Sequence, residues 1–403
     1  MKDKKRFHIG LLGRILIAMA LGIGFGYVTP MWGARIFATF NAIFSQFLSF
    51  TIPLLILGFV APAIAEIGKT AGKMLIATAL LAYGFTIIAG LTSYIVSDTF
   101  FPSMIQADTY VAVGGGNPET AAPFFSIEMP PLMTVMTALI LAFVLGLGCA
   151  MLSPGALRRG LVEFRDIITL VIKKVIIPLL PLYIFGIFMN MTIEGQVGMI
   201  LSTFAKIIAV IFCLHVFILV FQYCVAALAA PKGSMRNPFK MLGTMMPAYF
   251  TALGTQSSAA TIPVTLARAI EMGVPKGIAG FVIPLCATIH MSGSTLKIVA
   301  CALALMLVNH IPYDFPMFIG FICMLGITII AAPGVPGGSI MASLGLLSSM
   351  LGFTDADNAL MIALYIAMDS FGTACNVTGD GAIAVIVGRL FRNSEHAKPQ
   401  PAS

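Results

Sequence analysis

The sequence predicts an all-α polytopic membrane protein with eight transmembrane helices and two re-entrant helical hairpins. Three observations lead there. Hydrophobic residues make up 59% of the 403 and charged residues only 10%, where a soluble domain carries roughly a quarter. The charges that remain alternate along the chain between basic and acidic clusters. Two long uncharged runs toward the C-terminus carry flanking charges of one sign at both ends, which a simple span does not.

The elements follow in order. The basic stretch MKDKKRFHIG precedes LLGRILIAMALGIGFGYV with no small-residue cleavage site after it, so residues 11–28 read as a retained first span. A crossing helix needs about 20 apolar residues, and apolar runs meet this at roughly 11–30, 36–62, 74–97, 132–153, 175–193 and 207–230. Lys and Arg cluster at 2–6, 69–73, 158–174, 232–240, 268–276 and 389–398. The segment 98–130 holds four acidic residues and no Lys or Arg, and the surroundings of Glu194, Asp314 and Asp355–Asp357 are acid-only. This alternation places both termini in the cytoplasm of a multi-pass protein of the cytoplasmic (inner) membrane. The net charge of +7 is then a topology signal, not a nucleic-acid patch.

Between Lys240 and Arg268 lies MLGTMMPAYFTALGTQSSAATIPVTLA, with a polar centre and basic flanks at both ends. Such a segment enters from the cytoplasm and returns. Between Asp314 and Asp355 lie 40 uncharged residues interrupted by APGVPGG, with acidic flanks, so this hairpin enters from outside. A full span follows each, at 277–308 and 358–391. Hairpin plus span, occurring twice from opposite sides, is the mark of an inverted repeat with a midplane binding site. Read as kinked ordinary spans, the same runs leave their flanking charges on the wrong sides.

Polar residues gather in these repeats. Asp369, Gly372, Asn376 and Asp380 share one helical face at i, i+3, i+7 and i+11. Two carboxylates and an amide there are costly unless they hold cations, and oxygen ligands suit a hard alkali ion. The alternative is that Asp369 and Asp380 form structural ion pairs with Lys206 and Lys297. Lys297 lies two turns beyond His290 in the other span, either inside the site or snorkelling to the outer surface. All seven Cys fall in apolar segments without metal or redox spacing and read as buried thiols. His215 and Lys206 read as scaffold contacts or snorkelling groups, Trp32 as an interface anchor, and GGG at 114–116 as an exposed acidic loop.

GTQSSAATIPVT, CATIHMSGST, GVPGGSIM and DSFGTACNVTGD, in this order from about residue 240 onward, resemble the signature segments of the dicarboxylate/amino acid:cation symporter family, the glutamate-transporter homologues. Residues 10–230 resemble it mainly in hydropathy and length. The resemblance implies a scaffold and a transport subdomain moving as an elevator in a homotrimer. It divides the chain into six N-terminal spans (1–235) and a transport core (236–392), the core holding a first hairpin at about 238–272, a span at 276–308, a second hairpin at about 316–353 and a last span at 358–391. The tail 393–403 is expected to be disordered.

The resemblance also assigns roles. Ser257 and Ser258, beside Gln256, would hold the substrate carboxylate at a helix N-terminus. Asp369 matches the partner of the substrate's amino group, with Thr373, Asn376, Met291 and Ser294 as further contacts. Asp380 matches a sodium ligand, joined by backbone oxygens near Cys286, His290 and Asn376. A second sodium would lie between carbonyls around Thr288 and those of Ile329, Ile330 and Ala332. Val335 and the following glycines, Gly337 and Gly338, resemble the extracellular gate.

Three departures matter. Gly372 stands where members for acidic substrates carry Arg, and Gln256 replaces a second basic position, so no guanidinium clamp remains. The family's Asn-Met-Asp-Gly-Thr reads His290-Met291-Ser292-Gly293-Ser294 here. Thr78, Leu81 and Ala82 have likewise lost most ligands of a third sodium. Lys297 replaces an aromatic residue near that Arg position, whose acidic neighbour corresponds to Tyr365. The expectation is sodium-coupled symport of a neutral amino acid with about two sodium ions, no other cofactor, and Lys297 as a built-in cation. The alternative is an acidic amino acid or dicarboxylate carrier, with Lys297 as the anion-binding cation or with protons in place of sodium. A channel would pass current without saturable uptake. A hydrolase built on His290 and Ser292 is disfavoured, because residues two apart on a helix point about 200° apart, and HExxH and GxSxG are missing.

Overall fold

The computed structural model describes residues 11–67, 73–105, 121–153, 155–195, 197–229, 236–330 and 337–391. All regular structure among them is helical: α1 Leu11–Gly26, α2 Met31–Ile67, α3 Lys73–Met104, α4 Val135–Met151, α5 Ala156–Val171, α6 Ile177–Ile193 and α7 Val197–Ala229. Then follow α8 Pro238–Thr255, α9 Ser258–Glu271, α10 Lys276–Ile289, α11 Ser292–Val308, α12 Phe315–Ile330, α13 Gly338–Leu351, α14 Asp355–Ala367 and α15 Asp369–Leu390. The tail, the loop at 114–116, Ala332 and Val335 lie outside the described residues.

Among the described residues, six helical stretches are long and apolar enough to cross a bilayer. The first and fourth expected spans are shorter, at 16 and 17 residues. The fifth is longer than the run 175–193, because amphipathic α5 joins α6 through a π-helical turn at Ile172–Ile176, making one stretch from Ala156 to Ile193. Helices α1, α2, α4, α5 and α6 pack on one another, and Gly22 and Gly26 let α1 approach α6 closely. Of the remaining helices, α3, α7, α8, α9, α10, α11 and α14 touch α15, while α12 and α13 pack on each other and on α2, α11 and, respectively, α3 and α14.

Within this second group one motif occurs twice. Helices α8 and α9 pack as a pair, and the interrupted helix α10–α11 follows; α12 and α13 pack as a pair, and the interrupted helix α14–α15 follows. The paired helices have 18, 14, 16 and 14 residues, or roughly 21–27 Å at 1.5 Å per residue. Both interruptions are held by side chains, as unpaired backbone groups at this depth must be. At the first, Met291 N–H donates to Thr86 Oγ1 (3.2 Å) and Gly293 N–H to Asn376 Oδ1 (2.8 Å). At the second, the carbonyl of Met368 accepts from Lys297 Nζ (3.2 Å) and from Gly372 N–H (3.1 Å).

One sequence expectation is corrected here. Cys149, Cys286, Cys301 and Cys375 are buried, but Cys213 and Cys224 are exposed and Cys323 is half-buried. These three sit on faces of α7 and α12 turned away from the packed interior. Apolar sequence does not imply burial within the protein when the surrounding solvent is lipid.

Candidate functional site

The two helix interruptions and the tips of both helix pairs converge on a cavity of about 90 Å³. One wall is the turn between α8 and α9. Gln256 ends α8 in the left-handed conformation (φ 53°) and Ser257 caps α9, its hydroxyl accepting from Ala260 N–H at 3.2 Å. The N–H groups of Ser258 and Ala259, in the first turn of α9, have no partner within the helix. Both residues line the cavity. Gln256 Nε2 donates to Ser370 Oγ (2.7 Å), tying this turn to α15.

The opposite wall is α15. Asp369, Thr373 and Asn376 line the cavity, with Met291 and Ser294 beside them. Asn376 is a junction: its Oδ1 accepts from Gly293 N–H, and its Nδ2 donates to Ser294 Oγ at 3.2 Å. Thr288, expected near a cation, lies on the cavity wall. Ile329 and Ile330 end α12. Tyr365, Ser339, Ala259 and Ala287, none of them expected there, and Gly338, one of the glycines after Val335, complete the lining. Tyr365 was singled out in the sequence only as a neighbour of the Gly372 position.

Gly372 instead faces Lys297. A Cβ on Gly372 would collide with Nζ and Cε of Lys297. The ammonium is 3.6 Å from Asp369 Oδ1 and 3.8 Å from the centre of the Tyr365 ring. Lys297 is only 2% exposed, so it does not snorkel. Asp369 is held from its other side, Oδ2 accepting from Gly337 N–H at 2.8 Å.

The second carboxylate has a different partner. Asp380 is 1% exposed, and its Oδ1 accepts from His290 Nδ1 at 2.9 Å. The carbonyl of Asn376 faces the same nitrogen at 3.1 Å. Both partners are acceptors, so Nδ1 carries the proton. The carbonyl of Cys286 accepts from His290 N–H at 2.9 Å. Cys286, His290, Asn376 and Asp380 are thus brought together. Lys206 is not part of this, because its Nζ donates to the carbonyl of Met104 at 2.8 Å.

His290 and Ser292 do pair, contrary to the helical argument: Nε2 lies 2.6 Å from Ser292 Oγ. The interruption explains this, since His290 is extended (φ −95°, ψ 109°) and α11 starts only at Ser292. Asp380, His290 and Ser292 therefore stand in a row, but Ser292 is fully buried and no substrate can reach it. Gln222 of α7 completes the row, donating from Nε2 to Ser292 Oγ at 3.0 Å. Sequence reading missed Gln222. Its signal was an amide seven residues after His215, on the same face of the sixth span. Gly379 makes room for it, because a Cβ there would collide with Gln222 and His290.

The profile of the sodium:dicarboxylate symporter family matches residues 11–390. The chain belongs to this family. Its members are transporters rather than enzymes, and with the apolar helices this makes the chain a multi-pass membrane protein. It is similar to excitatory amino acid transporter 2 of Mus musculus, 28% identical over 267 residues, covering 63% of this chain and 45% of that protein. It is also 35% identical over 161 residues to mouse excitatory amino acid transporter 4, covering 38% of this chain and 28% of that protein. Excitatory amino acid transporter 1 of Rattus norvegicus gives 35% over 159 residues, 39% of this chain and 29% of that protein. The chain spans less than half the length of the relatives it matches.

Proposed function

We propose that this symporter-family chain is a secondary transporter that carries a small neutral amino acid together with sodium, by alternating access. The observation that supports the substrate class is the charge of the cavity wall. Asp369 is its one charged residue, facing the ammonium end of a ligand, and the first turn of α9 faces the carboxylate end. No cation lines the cavity among the described residues, so nothing there would pair with a second carboxylate.

The same reading covers the architecture. The pairing of α8 with α9 and of α12 with α13, each pair followed by an interrupted helix, supports two re-entrant hairpins beside eight spans. The mutual packing of α1, α2, α4, α5 and α6 supports a scaffold beside a moving core, and the resemblance to the family suggests a homotrimer in the inner membrane. Asp380 with carbonyls of Cys286, His290 and Asn376 would take one sodium, and the region of Thr288, Ile329, Ile330 and Ala332 a second.

A second reading is acidic amino acid transport. The names of the relatives favour it, and Lys297 lies directly behind Asp369. Uptake into proteoliposomes of a panel of labelled amino acids, with and without an inward sodium gradient, separates the two. Neutral amino acids should accumulate and compete, and aspartate should compete poorly. Strong and selective inhibition by aspartate would favour the second reading.

A further inference from the structure

We propose that Lys297 is the counter-charge that lets the empty binding site change sides, neutralising Asp369 whenever no ligand ammonium does so. This rests on the transport reading above. The geometry gives Asp369 two faces. It looks into the cavity, where a ligand would meet it, and its Oδ1 looks back at the ammonium of Lys297, 3.6 Å away. The lysine arrives from behind, through space that exists only because residue 372 has no side chain. It is held there by the Met368 carbonyl at 3.2 Å and the face of Tyr365 at 3.8 Å, away from water.

A carboxylate this deeply buried is strongly destabilising unless paired. In a loaded site the ligand's ammonium can pair with Asp369. In an empty site only Lys297 can, among the described residues. The ion-pair separation exceeds direct hydrogen-bond distance, so the carboxylate keeps lone pairs for a second ammonium. Without Lys297 the empty core would have to move an uncompensated carboxylate through a low-dielectric environment. Loaded cores would still move. Lys297→Met should therefore abolish net uptake while preserving exchange of internal for external substrate.

The direct test uses the empty protein in proteoliposomes without sodium or amino acid. A single cysteine at the cavity wall, Ala259→Cys with the seven native cysteines replaced, is labelled from outside by a membrane-impermeant maleimide. With Lys297 present, labelling should run to completion as empty sites turn outward. With Lys297→Met it should stall at the fraction initially facing the bath, the remainder labelling at least ten-fold more slowly. Lys297→Met combined with Asp369→Asn removes both charges and should restore complete labelling. Equal rates in all three would overturn the proposal. If Lys297→Met does not fold, Asp369→Asn alone leaves the ammonium unpaired and must stall likewise; free turning there would also overturn it. A wild-type chain that labels completely yet takes up none of the twenty amino acids would sink the substrate reading and leave the charge rule standing.

Discussion

The Nδ1 of His290 stands between Oδ1 of Asp380 at 2.9 Å and the carbonyl oxygen of Asn376 at 3.1 Å. An imidazole N–H thus occupies the point where two oxygens expected to hold a cation converge. Removing it leaves Asp380 buried without that donor. His290→Ala should destabilise the sodium-free protein by about 1.5–3 kcal/mol, the usual worth of a hydrogen bond to a charged group. Sodium should then recover more stability in the variant than in the wild type, because a cation can take the place of the lost donor. Thermal unfolding in choline and in sodium medium measures both. An identical sodium response in the two proteins would mean that sodium does not reach Asp380.

The two carboxylates of α15 should separate by ligand. Asp369→Asn removes the charge facing the cavity and should weaken amino acid binding by about ten- to a hundred-fold, the range of a charge-assisted hydrogen bond. Asp380→Asn should lower sodium affinity first, with amino acid affinity falling only through coupling between the sites. Isothermal titration of each variant with sodium, and then with the preferred amino acid, gives the comparison. Equal effects on sodium alone would show that Asp369 has been given the wrong role.

The stripe of Asp369, Asn376 and Asp380 was legible in the sequence because a continuous helix carries its period openly, and α15 is continuous from Asp369. The pairing of His290 with Ser292 was not. Periodicity fixes angles along an unbroken helix, and it does not say that His290 would be extended. Lys297 was legible as a buried cation near the Gly372 position, but its direction was not. A helical phase names a face, while the partner depends on which neighbour presents a gap. Here the gap is Gly372. Gln222 shows the third limit: it shares a face of its span with His215, and only the packing of α7 on α11 gives it a partner.

In the resembling family, members for acidic substrates carry Arg at the Gly372 position, where a guanidinium beside the ligand pairs with a second carboxylate. The tail of Lys297 already fills that space. Gly372→Arg alone should therefore lose most transport of any substrate, by about ten-fold or more, because two cations and an extra side chain compete for one gap. Gly372→Arg with Lys297→Ala should recover transport and shift competition toward aspartate by about ten-fold or more. Competition assays in proteoliposomes test this. Aspartate transport by the single variant would show that Lys297 can leave its place freely.

In the resembling family the residue at Ser292 is a carboxylate and that at His290 an amide, both tied to a third sodium. Here the Ser292 hydroxyl meets the His290 ring at 2.6 Å, and Thr78 turns its hydroxyl back to its own helix, to the carbonyl of Met74 at 2.7 Å. The space is filled by imidazole rather than left for an ion. The wild type should accordingly move about two positive charges per neutral amino acid, both as sodium. His290→Asn with Ser292→Asp clears the ring and supplies a carboxylate. Gln222 Oε1, buried and without a hydrogen-bond partner among the described residues, offers a further oxygen beside it. Three oxygens of this kind suit a hard cation. The double variant should carry about three charges per amino acid, read from the dependence of reversal potential on sodium and substrate gradients. It should also be less stable than wild type without sodium and gain more from adding it, since Asp at 292 would be buried unpaired. A folded double variant with an unchanged charge count would show that His290 and Ser292 do not set the stoichiometry.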